Sequence, residues 1–135
     1  MYILLAHYSK AEPIERTGRL VRFADLPGGY AYESAFIQRA VLPLAETFGG
    51  DPEMLARAAK FFEGIRLSYG DVSVEIPALP KVPLVYVLWR GDDEFQPSAS
   101  ILFDASASNY LPTEDLAVLT QLTTLRLKHA HPYNR

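Results

Sequence analysis

Residues 78–111 read ALPKVPLVYVLWRGDDEFQPSASILFDASASNYL, a stretch that holds the longest apolar run, the single Trp and the densest group of acids in the chain. Leu84 to Trp89 is continuously apolar, Gly91-Asp92-Asp93-Glu94 is a turn-forming cluster, and Ser100 to Asp104 is a second short run. Two buried strands joined by a charged connection is the plain reading. Side chains alternate along a strand, so Val85 and Val87 would face one side and Leu84, Tyr86 and Leu88 the other, and both sides would need cover. Phe103 is expected in the core.

Upstream, Val72-Ser73-Val74-Glu75-Ile76 alternates with period two, which predicts a half-exposed strand ending at Pro77. Pro77, Pro80 and Pro83 then space a stiff connection in which no helix forms. Downstream, residues 105–110 are small and polar and predict a loop. Pro112-Thr113-Glu114-Asp115 opens a last helix with a cap and two early acids. Leu116, Leu119 and Leu122, with Thr123, would be its buried stripe; fraying after Leu127 would leave 128–135 as a tail.

In the first half, Phe36, Ala40, Leu44 and Phe48 recur with helical spacing beside Ile37, Val41 and Ala45, which predicts a helix from about Glu33 to the Gly49-Gly50 stop. Pro43 should kink or break it, because it lacks the N–H and its ring crowds the carbonyl of Arg39. Asp51-Pro52-Glu53 starts a second helix, with Asp51 as cap, a face of Met54, Leu55, Ala58, Ala59 and Phe62, and Gly64 as the residue just past its end. Before these, Arg19 to Phe23 is a brief strand pattern, and Asp25 to Gly29 is a turn that needs positive φ. An anion site at Gly28-Gly29, before a helical pattern, is the weaker alternative, since neither GxGxxG nor a P-loop Lys follows.

The opening run Tyr2 to Tyr8 suits helix or strand, followed by a loop from Ser9 to Gly18. It is either an ordinary first helix or the start of a shortened domain whose missing front a second copy or a partner supplies. Its length, and its break at His7, fit neither a signal peptide nor a membrane span. The whole reads as one α+β domain over residues 1–135: a small antiparallel sheet of at least three strands packed against about three to four helices.

With 49% apolar residues in 135, the chain can build one core. Thirteen basic residues stand against sixteen acidic ones without a Lys/Arg cluster, so nothing marks a nucleic-acid or anionic-membrane partner. Zero Cys rules out disulfides, a Cys nucleophile and an iron-sulfur cluster held by this chain, and fits a cytoplasmic setting.

The blocks LPGG (26–29), FGGDPE (48–53), LPKVPLVYVLWRGDDEF (79–95) and ILFDASASNYLPTEDLA (101–117), in that order, resemble a bacterial and archaeal family of unknown function, the domain of unknown function three-seven-eight-six. The resemblance spans roughly Tyr2 to Leu119. It implies a fold and a setting in anaerobic metabolism, where members are longer at the N-terminus and some are joined to Cys-rich iron-sulfur modules. It brings no catalytic residues, and a redox role would not rest on this Cys-free chain.

Two sets of side chains are candidates for a site. Asp92, Asp93 and Glu94 in the turn, with Asp104 after the next strand, are hard oxygen ligands that would hold a divalent cation if they converged, against the plainer reading of a solvated connection. Trp89, a core aromatic by the plainer reading and a stacking platform by the other, joins Phe95, Ser106, Asn109 and Tyr110 as a candidate ligand-binding set near strand ends, where ligand groups tend to be presented. His7 reads as a core or edge histidine, and His129 and His131 would share a metal only in an extended tail. No GxSxG, HExxH or Walker A occurs. The expected function is an accessory module that presents the Trp89–Phe95 turn and the Ser106–Tyr110 loop to a small molecule or protein. The competing classes are a metal-dependent enzyme built on the acids and a purely structural subunit. A homodimer burying over about 1,000 Å² through residues 1–8 or a sheet edge is expected from the apolar start.

Overall fold

Five strands, β1 (Leu20–Arg22), β2 (Ile65–Leu67), β3 (Val72–Leu79), β4 (Val82–Trp89) and β5 (Ser98–Asp104), form one antiparallel sheet in the order β1-β5-β4-β3-β2, in a computed structural model that describes residues 2–130. The fold is α+β, as expected. Its apolar run puts β4 in the middle, because a strand buried along its whole length needs a neighbour on each edge and cover on each face. Val82 to Leu88 are all buried. Leu84, Tyr86 and Leu88 point into the main core, while Val85 and Val87 are buried on the far face. Phe103, opposite Leu84, is 0% exposed and packs on Phe23 and Phe36.

β3 corrects two expectations. It runs through Pro77 to Leu79, because Pro77 lies opposite Pro83 in the ladder and neither has an N–H to lose. The stiff connection therefore contracts to the Pro80-Lys81 turn. Nor is β3 half-exposed: Ser73 is fully buried and its hydroxyl accepts the N–H of Tyr69 at 2.9 Å. On the far face, the Tyr69-Gly70 turn lies against Val87, and residues 11–19 cover the end near Glu75 and Asp104.

In the helical layer, α2 (Gly29–Phe36) and α3 (Leu42–Phe48) are joined by a π turn, Ile37–Val41, in one continuous rod. Pro43 accounts for it. A regular turn would drive its ring into the Arg39 carbonyl, whereas the wider turn, closed by Leu42 N–H on the Ile37 carbonyl, relieves the clash. Gly28 takes φ 71° as its turn requires. At Gly29 a Cβ would stand 2.0 Å from the Phe23 carbonyl oxygen, so α2 can begin there only on a glycine.

α4 (Glu53–Ala59) ends in a 3-10 turn, Lys60–Phe62, and Glu63, not Gly64, takes the left-handed position at φ 59°. Asp51 caps α4 through its backbone carbonyl, bonded to Met54 N–H at 3.0 Å, rather than its side chain. The loop expected over 105–110 contains one helical turn, α5 (Ala107–Tyr110). The last helix, α6 (Thr113–His129), runs past Leu127. It buries Leu116, Leu119, Thr120, Thr123, Thr124 and Leu127, with Leu122 only half-buried. At the start, Tyr2–Lys10 is the helix α1, which puts Leu4 in the chain's own core and leaves Leu5 exposed. No helix among the described residues is long and apolar enough to cross a membrane.

Candidate functional site

Asp104, Ser106, Asn109 and Tyr110 do come together, at the end of β5. The Asp104 carboxylate is 0% exposed and accepts the N–H groups of Thr17 (3.1 Å), Gly18 (2.8 Å) and Ser106 (3.0 Å) and the hydroxyls of Thr17 and Ser106. Burial alone would raise its pKa, but the bonds from Ser106 and Thr17 outweigh it and bring the value down to about 2. A carboxylate with this many donors has no lone pair left for a cation.

Around it, the Tyr110 hydroxyl accepts the N–H of Ile14 and donates to the Ile14 carbonyl, both at 2.9 Å, and Asn109 donates to the Glu12 carbonyl at 2.8 Å. Arg16 forks onto Glu75, which holds the guanidinium pKa above its usual value. These bonds turn residues 12–18 into a strap. A cavity of about 570 Å³ opens beside it, walled by Pro13, Pro77, Pro80 and Pro83. Of the polar groups that line it, Arg16, Glu75, Ser106 and Tyr110 are committed to one another or to the strap, while the Glu15 and Lys81 side chains have no hydrogen-bond or ion-pair partner among the described residues.

The acidic turn lies elsewhere. Trp89 pairs with Ser98 at the opposite end of β5, six residues or roughly 20 Å from Asp104 at about 3.3 Å per residue. Of the two readings of Trp89, the core position is corrected: the ring is 43% exposed, on the last residue of β4. The Asp92 carboxylate accepts the N–H groups of Glu94 (2.8 Å) and Phe95 (2.7 Å), closing the turn on itself. Asp93, Glu94 and Phe95 are exposed. Among the described residues no three His, Cys, Asp or Glu side chains are grouped to hold a metal ion. His7, exposed rather than in the core, pairs with Asp115 on α6; His131 lies outside the described residues.

A third place retains unused chemistry. Tyr32, Ala35, Phe36 and Arg39 stand at i, i+3, i+4 and i+7 along α2 and the π turn, and Glu114, Ala117, Val118 and Gln121 repeat that spacing on α6. The Thr113 hydroxyl donates to the Pro27 carbonyl at 2.6 Å, so both helices set out from one point, and α6 meets the π turn further along. Alanines in the middle of each row keep the walls low. Between them lies a cavity of about 260 Å³ floored by Phe23, Phe36 and Ala40. Arg39 and Glu114 are exposed on its rim, and neither side chain has a hydrogen-bond or ion-pair partner among the described residues. In the sequence Phe36 and Ala40 read only as one apolar face, and Tyr32, Ala35 and Arg39 were not singled out; the alanines at the same place in the two rows, Ala35 and Ala117, were the available signal.

The described residues form an antiparallel sheet domain with a fastened strap and an open interhelical groove. The chain belongs to a family described as a domain of unknown function (DUF3786), whose model matches residues 1–126. No curated protein and no solved structure matches it.

Proposed function

We propose that this chain is a binding module that holds a small molecule with an apolar body in the groove between α2 and α6. The observation that carries the reading is the aromatic and alanine-lined floor of the groove, with two charged side chains without partners on its rim. The cavity beside the strap also has free charges, Glu15 and Lys81, but its walls are prolines and the Asp104 carboxylate behind it is fully bonded. Titration with 1-octanol, followed by amide chemical shifts, tests it. Residues lining the groove should shift, and Ala117→Leu, which fills the space with a good helix former, should abolish the shifts while leaving the circular dichroism unchanged. Shifts confined to the strap end, or unaffected by Ala117→Leu, would move the site elsewhere.

A second reading, self-association, is supported by the corner of the far face where Ile65, Tyr69 and Trp89 are all exposed. Leu4 packs within its own chain while Leu5 beside it is exposed, so the first segment stays a candidate surface along with the sheet corner. Sedimentation at micromolar concentration decides it: a single 15.1 kDa species removes the dimer.

A further inference from the structure

We infer that the ligand of the groove is a zwitterion whose charges are separated, with an ammonium at one end, an anionic group at the other and an apolar body of about 10 Å between them. This rests on the groove being the binding site. The two helices start together at Pro27 and Thr113, so Tyr32 and Glu114 mark the near end and Arg39 and Gln121 the far end. Seven residues of helix separate Tyr32 from Arg39, a rise of about 10 Å. Glu114 and Arg39 therefore flank the same apolar floor at opposite ends, without an ion pair between them.

A ligand carrying only an anion would set its apolar end against Glu114, and one carrying only a cation would set its apolar end against Arg39, so each leaves one charge without a partner. An α-amino acid holds its charges too close together to reach both. A molecule that satisfies both ends must span the floor: an ω-amino carboxylate of about eight carbons, or an extended tripeptide with free termini, which covers about 10 Å at 3.3–3.6 Å per residue. Phe23, Phe36, Ala35, Ala40, Ala117 and Val118 would take the apolar body, and the Tyr32 hydroxyl and the Gln121 amide could serve peptide groups.

The test compares 8-aminooctanoate, octanoate, octylamine and trialanine on the intact chain by calorimetry. 8-Aminooctanoate should bind about three- to fivefold tighter than octanoate or octylamine, the range of an exposed ion pair at each end. Arg39→Gln should erase its advantage over octylamine and Glu114→Gln its advantage over octanoate, while Ala117→Leu blocks all of them. Trialanine binding tighter than 8-aminooctanoate assigns the peptide source, and the reverse order assigns the ω-amino acid. Equal affinities across the charged series overturn the inference, and so does an advantage that survives both charge substitutions. If 1-octanol still binds in a manner sensitive to Ala117→Leu, the groove itself stands; if nothing binds, both readings fall.

Discussion

The Tyr86 hydroxyl lies 3.0 Å from that of Thr124, tying the middle strand to α6 where both side chains are buried. Burial lifts the phenol's pKa well above its ordinary value, with the Thr124 bond acting in the opposite direction, so the ring stays neutral. Tyr86→Phe and Thr124→Val each leave the other hydroxyl buried without this partner, at a cost of about 1–3 kcal/mol. The double substitution should cost less than the sum of the singles by about 1 kcal/mol or more, measured by urea unfolding. Strictly additive costs would show that the bond contributes nothing.

Asp104 gives a pH signature. Its pKa of about 2 in the fold lies below the ordinary value of 3.8, so its contribution is complete above pH 4 and is lost as pH falls through 2. A difference of about two units corresponds to roughly 2.5 kcal/mol. Asp104→Asn lacks this term, so the gap in unfolding free energy between the two proteins should narrow by about that amount between pH 5 and pH 2. A gap independent of pH would mean that the charge plays no part in holding the strap.

Burial depth separates two apolar residues that the sequence treats alike. Phe103→Ala should cost about 3–5 kcal/mol. Leu122→Ala, on the half-buried flank of α6, should cost distinctly less, about 1–2 kcal/mol in proportion to the smaller area lost from the core. Thermal unfolding ranks them, and equal costs would contradict the burial of Phe103 against the helices.

Backbone sign provides opposite effects at two positions. Glu63 holds φ 59°, so Glu63→Gly should stabilise by about 0.5–1 kcal/mol. Gly70 has φ 55°, and a Cβ there would stand 2.7 Å from Val87 Cγ1 and 2.8 Å from the Leu88 carbonyl oxygen. Gly70→Ala should therefore destabilise by more than about 1 kcal/mol. Destabilisation by Glu63→Gly would disprove the assigned turn.

The central strands were legible because period and composition act locally: Leu84 to Leu88 and Phe103 announce burial on any sheet. Pro77 was misread, since what permits it inside β3 is Pro83 on the neighbouring strand, a pairing that is not local in sequence. Pro43 was recognised as a disturbance, but a wide turn and a break have the same local cause. Asp104 was singled out for its charge. Its hydrogen-bond partners at Thr17 and Gly18 lie 87 and 86 residues away, beyond the reach of any spacing rule. The groove escaped notice because it requires knowing that the α2 and α6 rows face one another.

The strap has a further consequence for the growing chain. Residues 12–18 leave the ribosome before any of the side chains that fasten them, from Glu75 to Tyr110, and Asp104 follows Thr17 by 87 positions. At about 5–20 residues per second that delay is roughly 4–17 s. During this interval the far side of β3 and β4 emerges without its cover, and the N-terminal segment is open to proteases and chaperones. Closing the strap thus waits until residues 104–110 have emerged, and a stall before residue 104 would leave a nascent chain that carries most of its sheet but has nothing to fasten residues 12–18.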